Sequence, residues 1–218
     1  LLGKLLVFRK IRRMVGKNFR AGVAGGGAFP ENVDEFFWSI GIKIVEGYGL
    51  TETAPIVSVR PIVDPIFRNV GSSFRGIQAR VVDDDGIILG KCKKGNLQIK
   101  GACVMKGYYK DEAATRAVLT EDGWFRTGDM GTVDEQGCYR IVGRCKNVIV
   151  TKNGKNIYPE EVEYHLNNHP FVSECIVFGA DCDEAEEGTQ VVAKIFPDIQ
   201  AITAKLKDKQ TPSKEEIQ

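Results

Sequence analysis

Apolar residues in the opening segment recur at helical spacing: Leu5, Phe8, Ile11 and Val15 fall on one side of a helix that Leu1 already lies within. Residues 19–24 (FRAGVA) read as a short buried strand, and glycines follow. Val33, Phe36, Phe37 and Ile40, at i, i+3, i+4 and i+7, then predict a second helix, with Pro30 near its start and Gly41 as its stop. Ile42–Glu46 alternates and predicts a second strand. Strand, helix and strand at this length form a βαβ unit, so the two strands should be parallel and the crossover right-handed. The loops GGGAF (25–29) and GYGLTE (47–52) would then leave the carboxyl ends of neighbouring parallel strands, the edge where open α/β sheets bind ligands.

From about residue 71 the pattern changes to short alternating runs broken by turn residues: QARVV-DDDG-IIL, GNLQIKG and GTV-DEQG-CYRIVG. These predict antiparallel hairpins in a small barrel-like sheet, interrupted by one helix near 111–119. Near residue 144 a third pattern begins. NVIVTKNGKNIY predicts a hairpin around Asn153-Gly154, then a helix with Pro159 at its start, strands near 172–178 and 189–196, and a helix from about Asp198. The expected architecture is therefore α/β: the end of a parallel-sheet subdomain (1–70), an antiparallel β-rich subdomain (71–143) and a small α+β domain (144–218), with the boundary at about 143–146. Both ends look cut. The opening helix is already under way at Leu1, and Ser213 with Glu216 reads as a capping box for a helix that the sequence does not continue.

Composition narrows the class without naming it. Hydrophobic residues make up 43% and charged residues 27%, the balance of a soluble globular protein. The net charge of +1 gives no global preference for nucleic acid or an acidic partner. Cys92, Cys103, Cys138, Cys145, Cys175 and Cys182 are scattered with no C-x-x-C pair, and read as free thiols of a reducing cytoplasm. Residues 1–17 carry Lys4, Arg9, Lys10, Arg12, Arg13 and Lys17 and no acid. That favours the solvated face of a packed helix, with peripheral contact with the inner membrane face as the alternative.

Four stretches carry candidate chemistry. Glycines in GGGAF and GYGLTE let backbone approach a flat ring or a phosphate closely. Tyr48 offers a face for stacking, Thr51 a hydroxyl for a phosphate oxygen, and Glu52 a hard carboxylate able to share Mg²⁺ with phosphates. The G-x-x-x-x-G-K-[ST] signature is absent, which removes the P-loop reading. In GWFRTGDMG, Asp129 follows Thr127-Gly128 at an expected turn between strands. There it can accept both hydroxyls of a ribose, or simply form the turn. In GRCKNVIVTKNGKNIYPEEVE, Arg144 can fork onto ribose or phosphate oxygens, and Lys146 suits a charged linker. Asp83–Asp85 before Gly86 lack calcium-loop spacing and read as a hairpin turn. His165 and His169 stand four apart but at a helix stop with no third ligand, which argues against a metal site.

In this order, GGGAFP, EGYGLTET, WFRTGD and GRCKNVIVTKNGKNIYPEEVE resemble the AMP-forming acyl-adenylate superfamily of acyl-CoA synthetases, luciferase and peptide-synthetase adenylation domains. FRKIRR, VMKGYY and VTKNGKNIYPEE look most like long-chain fatty acid–CoA ligases. The resemblance implies an ATP-dependent enzyme that converts a fatty acid to acyl-AMP and then to acyl-CoA, with Mg²⁺ as cofactor and coenzyme A as co-substrate. It implies that Gly26, Gly27, Ala28 and the backbone of Gly47–Gly49 line the adenine, with Tyr48 against the ring. Thr51 would hold the α-phosphate and Glu52 the metal, while Asp129 and Arg144 would hold the ribose. Lys146 would act as a hinge, and Asn153, Gly154 and Lys155 would approach the coenzyme A channel. It further implies a phosphate loop upstream and a catalytic lysine downstream of the residues present, so that this piece alone would be inactive. Asn96 stands where the family usually has an acid, and Cys103 where it usually has an asparagine. An aryl-acid ligase, a carrier-protein-loading domain and a non-catalytic nucleotide-binding module remain as alternatives.

Overall fold

The computed structural model describes residues 2–27, 29–63, 66–181 and 189–206 of the chain. It divides into two compact units, Leu1–Ile141 and Val142–Gln218.

The first unit opens with α1 (Leu2–Val15), β1 (Gly22–Ala24), α2 (Glu31–Ser39) and β2 (Ile44–Tyr48). β1 and β2 pair in parallel, Gly22 opposite Ile44 and Ala24 opposite Glu46, as the βαβ pattern requires. Two details differ from the sequence expectation. β1 is not buried, because it lies at the edge of a three-stranded sheet with β2 at its centre and leaves Val23 62% exposed. β2 also lies further along the chain than Ile42–Glu46, so Gly47 and Tyr48 are strand residues. Tight antiparallel pairing explains the shift: Gly47 and Tyr48 face Val59 and Ser58 of β3 (Ser58–Val59). α1 docks through Phe8, whose ring meets Phe36 edge-on at 6.5 Å, and through Arg12, whose Nε donates to the Ile40 carbonyl. Those two contacts fit the packed-helix reading of the basic segment.

Beneath α2 lies a buried ion pair. Arg60 Nη1 and Nη2 donate to Asp34 Oδ2 and Oδ1 at 2.5 and 2.8 Å, and Nη2 also reaches the Ile44 carbonyl at 3.0 Å. The two side chains are 0% and 3% exposed. Phe67 stacks on the guanidinium at 5.2 Å, so one arginine ties helix, strand and following loop together.

The rest of the first unit is built on β4 (Ile77–Val82), β5 (Gly95–Gly101), α3 (Glu112–Val118), β6 (Phe125–Val133) and the start of β7 (Tyr139–Arg144), a strand that runs on into the second unit, in sheet order β4-β5-β6-β7. β4 with β5 and β5 with β6 are antiparallel. Val81, Val82, Leu97, Ile99 and Phe125 form its core. The DDDG stretch is the hairpin turn expected: Asp83 Oδ1 accepts from the backbone N–H groups of Asp85 and Ile87, and Gly86 takes φ +82°. α3 starts at the N-cap Asp111, whose carboxylate accepts from Ala114 N–H.

The second unit comprises the β8–β9 hairpin (Ile149–Val150, Asn156–Ile157), α4 (Pro159–Asn167), the antiparallel pair β10 (Val172–Asp181) and β11 (Thr189–Pro197), and α5 (Ile199–Lys205). Pro159 occupies the first helical turn and Asp198 caps α5, both as the sequence predicts. The Ser213–Glu216 capping box lies outside the described residues. His169 is exposed, its Nδ1 accepting from Phe171 N–H at 3.3 Å. Cys92, Cys103, Cys138 and Cys175 are free thiols, Cys182 lies outside the described residues, and burial pushes the thiols of Cys138 and Cys175 above the ordinary value. Among the described residues no helix is long and apolar enough to cross a membrane.

Candidate functional site

The two glycine-bearing loops do adjoin. They leave the carboxyl ends of the parallel strands β1 and β2, and a Cβ on Gly25 would lie 3.0 Å from the Gly47 carbonyl oxygen. Gly26 takes φ +87°, a conformation that favours glycine. Gly27 is exposed beside it, and Ala28 lies outside the described residues. Where the first loop returns, Phe29 N–H donates to Glu46 Oε1 at 3.4 Å. Burial raises the Glu46 pKa above its ordinary value, against the lowering effects of the Phe29 N–H and of Arg60.

After Tyr48 the chain passes through Gly49, where no side chain fits: a Cβ would sit 1.7 Å from the Pro55 carbonyl oxygen. Thr51–Thr53 form a single 3₁₀ turn. Buried Thr53 fixes it, its Oγ1 accepting from Leu50 N–H at 2.9 Å and donating to the Leu50 carbonyl at 3.0 Å. Thr51 is thereby presented to solvent, with Glu52 half-buried beside it.

Asp129 comes to the same place from the other sheet, and here the expected turn is incorrect. Asp129 lies inside β6, with Gly128 at φ +74° and a register irregularity opposite at Asn96–Gln98. Thr-Gly-Asp reads as a turn locally, but the positive φ is absorbed as a bulge within a paired strand. Alternation along β6 puts Phe125, Thr127 and Asp129 on the inner face, and Asp129 is only 4% exposed. Thr127 Oγ1 donates to the Leu97 carbonyl at 2.8 Å and accepts from Asp129 N–H at 3.1 Å, which fixes the backbone there. Across the sheets, Tyr48 Oη donates to Asp129 Oδ2 at 2.5 Å. Gly47, Tyr48, Asp129 and the 51–53 turn thus share one edge of the first unit.

Two contributors had no local signal. Tyr108 Oη donates to Glu52 Oε1 at 2.9 Å, and this bond holds the phenol above its ordinary pKa. The Asp34–Arg60 pair supports β2 from below. Partners so distant in sequence leave no periodicity to read. A phenol in VMKGYY and an acid on the apolar α2 were the only available hints.

Arg144, Lys146 and the 153–155 tip belong to the second unit. Arg144 N–H donates to Glu160 Oε1 at 3.3 Å, and Asn147 Nδ2 donates to the same oxygen at 2.9 Å. Lys146 is exposed in the 3₁₀ turn Cys145–Asn147. Asn153, Gly154 and Lys155 form the exposed tip of the β8–β9 hairpin, closed by Gly154 N–H to the Thr151 carbonyl at 2.8 Å.

Among the described residues no group of three or more His, Cys, Asp or Glu could hold a metal. Glu52 offers a single hard carboxylate, which fits an ion such as Mg²⁺ whose remaining ligands are phosphate oxygens and water. It does not fit an ion caged by protein alone.

A mixed α/β unit with two adjoining glycine loops, an exposed hydroxyl beside a carboxylate, and a buried acid reaching the same edge defines an α/β protein with a polar site at the ends of parallel strands. Residues 7–109 match the AMP-binding enzyme family and residues 146–217 the AMP-binding enzyme C-terminal domain, and the chain belongs to this family. It is 40% identical over 174 residues to the long-chain-fatty-acid–CoA ligase FadD15 of Mycobacterium bovis, a match covering 80% of this chain and 27% of that protein. It is 35% identical over 192 residues to the long-chain-fatty-acid–[acyl-carrier-protein] ligase AEE15, chloroplastic, of Arabidopsis thaliana, covering 83% of this chain and 26% of that one. Among solved structures, ATP-bound MatB from Rhodopseudomonas palustris superposes with a TM-score of 0.74 at 30% identity, over 87% of this chain and 40% of that one. The chain therefore spans about a quarter of the length of these two curated relatives.

Proposed function

We propose that this chain supplies the nucleotide-binding edge and the following small domain of an AMP-forming ligase that activates a long-chain fatty acid and transfers it to coenzyme A. The observation that carries this reading is the Tyr48–Asp129 hydrogen bond of 2.5 Å, formed at the edge where the glycine loops and the Thr51–Glu52 turn meet. It supports an adenosine site in which Gly26, Gly27 and Gly47–Gly49 let the base approach backbone, Tyr48 walls it, and Asp129 accepts from the ribose hydroxyls.

In the first half-reaction the fatty carboxylate attacks the α-phosphorus of ATP and pyrophosphate leaves, giving acyl-AMP. In the second, the thiol of coenzyme A loses its proton, its sulfur attacks the acyl carbon, and AMP leaves. Thr51 donates its hydroxyl to an α-phosphate oxygen as charge builds there. Glu52 would hold Mg²⁺, which when bound would neutralise charge on the phosphates. Arg144 supports the ribose, Lys146 is the hinge, and Asn153–Lys155 approach the pantetheine channel. A second reading, transfer to an acyl-carrier protein, is favoured by the likeness to a relative named for that acceptor.

The test uses the full-length protein that carries this sequence. Fatty-acid-dependent ATP–pyrophosphate exchange should fall by at least about 10²-fold in Asp129→Ala and Glu52→Ala. A panel of acyl chain lengths against coenzyme A and acyl-carrier protein then reads substrate and acceptor. Unchanged exchange in both variants would overturn the assignment.

A further inference from the structure

We propose that Tyr108 is a positioning residue for the Glu52 carboxylate, holding Oε1 so that the other oxygen is left for a divalent cation shared with nucleotide phosphates; this rests on the reading of Glu52 above. Glu52 is gripped twice by one segment of the β-rich part of the unit. Its backbone carbonyl accepts from Met105 N–H at 2.8 Å, and its side chain accepts from Tyr108 Oη at 2.9 Å. The 51–53 turn belongs to the α/β part, so the carboxylate is held from a different element than the one that carries it.

Tyr108 is itself held in place. Its N–H donates to Thr115 Oγ1 at 2.9 Å, and that hydroxyl donates to the Asp111 carbonyl at 2.7 Å. Gly107 takes φ +149°, and a Cβ there would meet Thr115 Cγ2 at 2.8 Å, so the loop lies directly against α3. A chain of contacts runs from α3 through Thr115 and Tyr108 to Glu52. An unrestrained glutamate loses rotamer freedom when it takes up a cation, and a carboxylate already oriented by a donor loses less. Tyr108 is 37% exposed, so its effect should lie at the low end for partners of metal ligands.

Mn²⁺, standing in for Mg²⁺, is titrated into the full-length protein with a non-hydrolysable ATP analogue, and free Mn²⁺ is read by electron paramagnetic resonance. Tyr108→Phe should weaken Mn²⁺ uptake about tenfold with the melting temperature unchanged. Thr115→Val, which removes the hydroxyl that accepts from Tyr108 N–H and leaves the phenol in place, should move uptake the same way by less. In a Glu52→Gln background, Tyr108→Phe should have no further effect. If Glu52→Gln weakens uptake while Tyr108→Phe and Thr115→Val do not, the positioning role is overturned and the Glu52 assignment stands. An equal loss from Tyr108→Phe in both backgrounds overturns it as well. Unchanged uptake in Glu52→Gln removes the Glu52 assignment, and this inference with it.

Discussion

Asp129 illustrates how much one side chain can do when its surroundings are dry. Buried in β6 and bonded to Tyr48, it is held where a neutral replacement would fit but would accept more weakly. Asp129→Asn should raise the KM for ATP about tenfold or more, since a hydrogen bond to a charged group contributes about 1.5–3 kcal/mol. Tyr48→Phe should raise it less, because it leaves the acceptor in place. Glu46 makes a different prediction, read by stability. Burial raises its pKa above 4.5, so the folded chain favours the protonated form. The penalty for ionising it is absent below the unfolded value and appears as pH rises through the folded one. Glu46→Gln, neutral at every pH, should therefore gain stability relative to wild type as pH rises above the ordinary carboxylate range, seen as a growing difference in urea midpoint.

At the scale of elements, the βαβ start, the DDDG hairpin, a helix near 111–119 and the Pro159 helix were all legible, because each element rests on short-range spacing. The misreadings have a shared cause. Thr127-Gly128-Asp129 looks like a turn until β5 is placed beside it, and Gly47-Tyr48 looks like a loop until β3 pairs with it. Strand pairing is non-local, and so are the partners of Tyr108 and Arg60. Tyr48, Thr51, Glu52 and Asp129 could be singled out from the sequence as candidates, but not what holds them. The Asp34–Arg60 pair belongs to this second kind. Asp34→Ala strands a buried guanidinium and should cost about 3–5 kcal/mol of unfolding free energy, measured by denaturant titration. A paired replacement of both residues by apolar ones should cost much less.

For the whole molecule, the family match runs through both units, yet the chain spans about a quarter of the length of the relatives compared. The edge described here offers groups for a nucleotide. Spanning so small a share of those relatives, the 218-residue chain by itself should yield no acyl-CoA from fatty acid, ATP and coenzyme A in a thiol-consumption assay. Detectable product would show that these residues suffice. The buried arginine has one more consequence for how the first unit behaves in solution. Small ions weaken attraction only where they can approach, and the Arg60 and Asp34 side chains are 0% and 3% accessible. Molar chloride, which should dissolve the exposed Arg116–Glu112 contact, has no route to this one, so brine would leave α2 fastened to the strand beneath it.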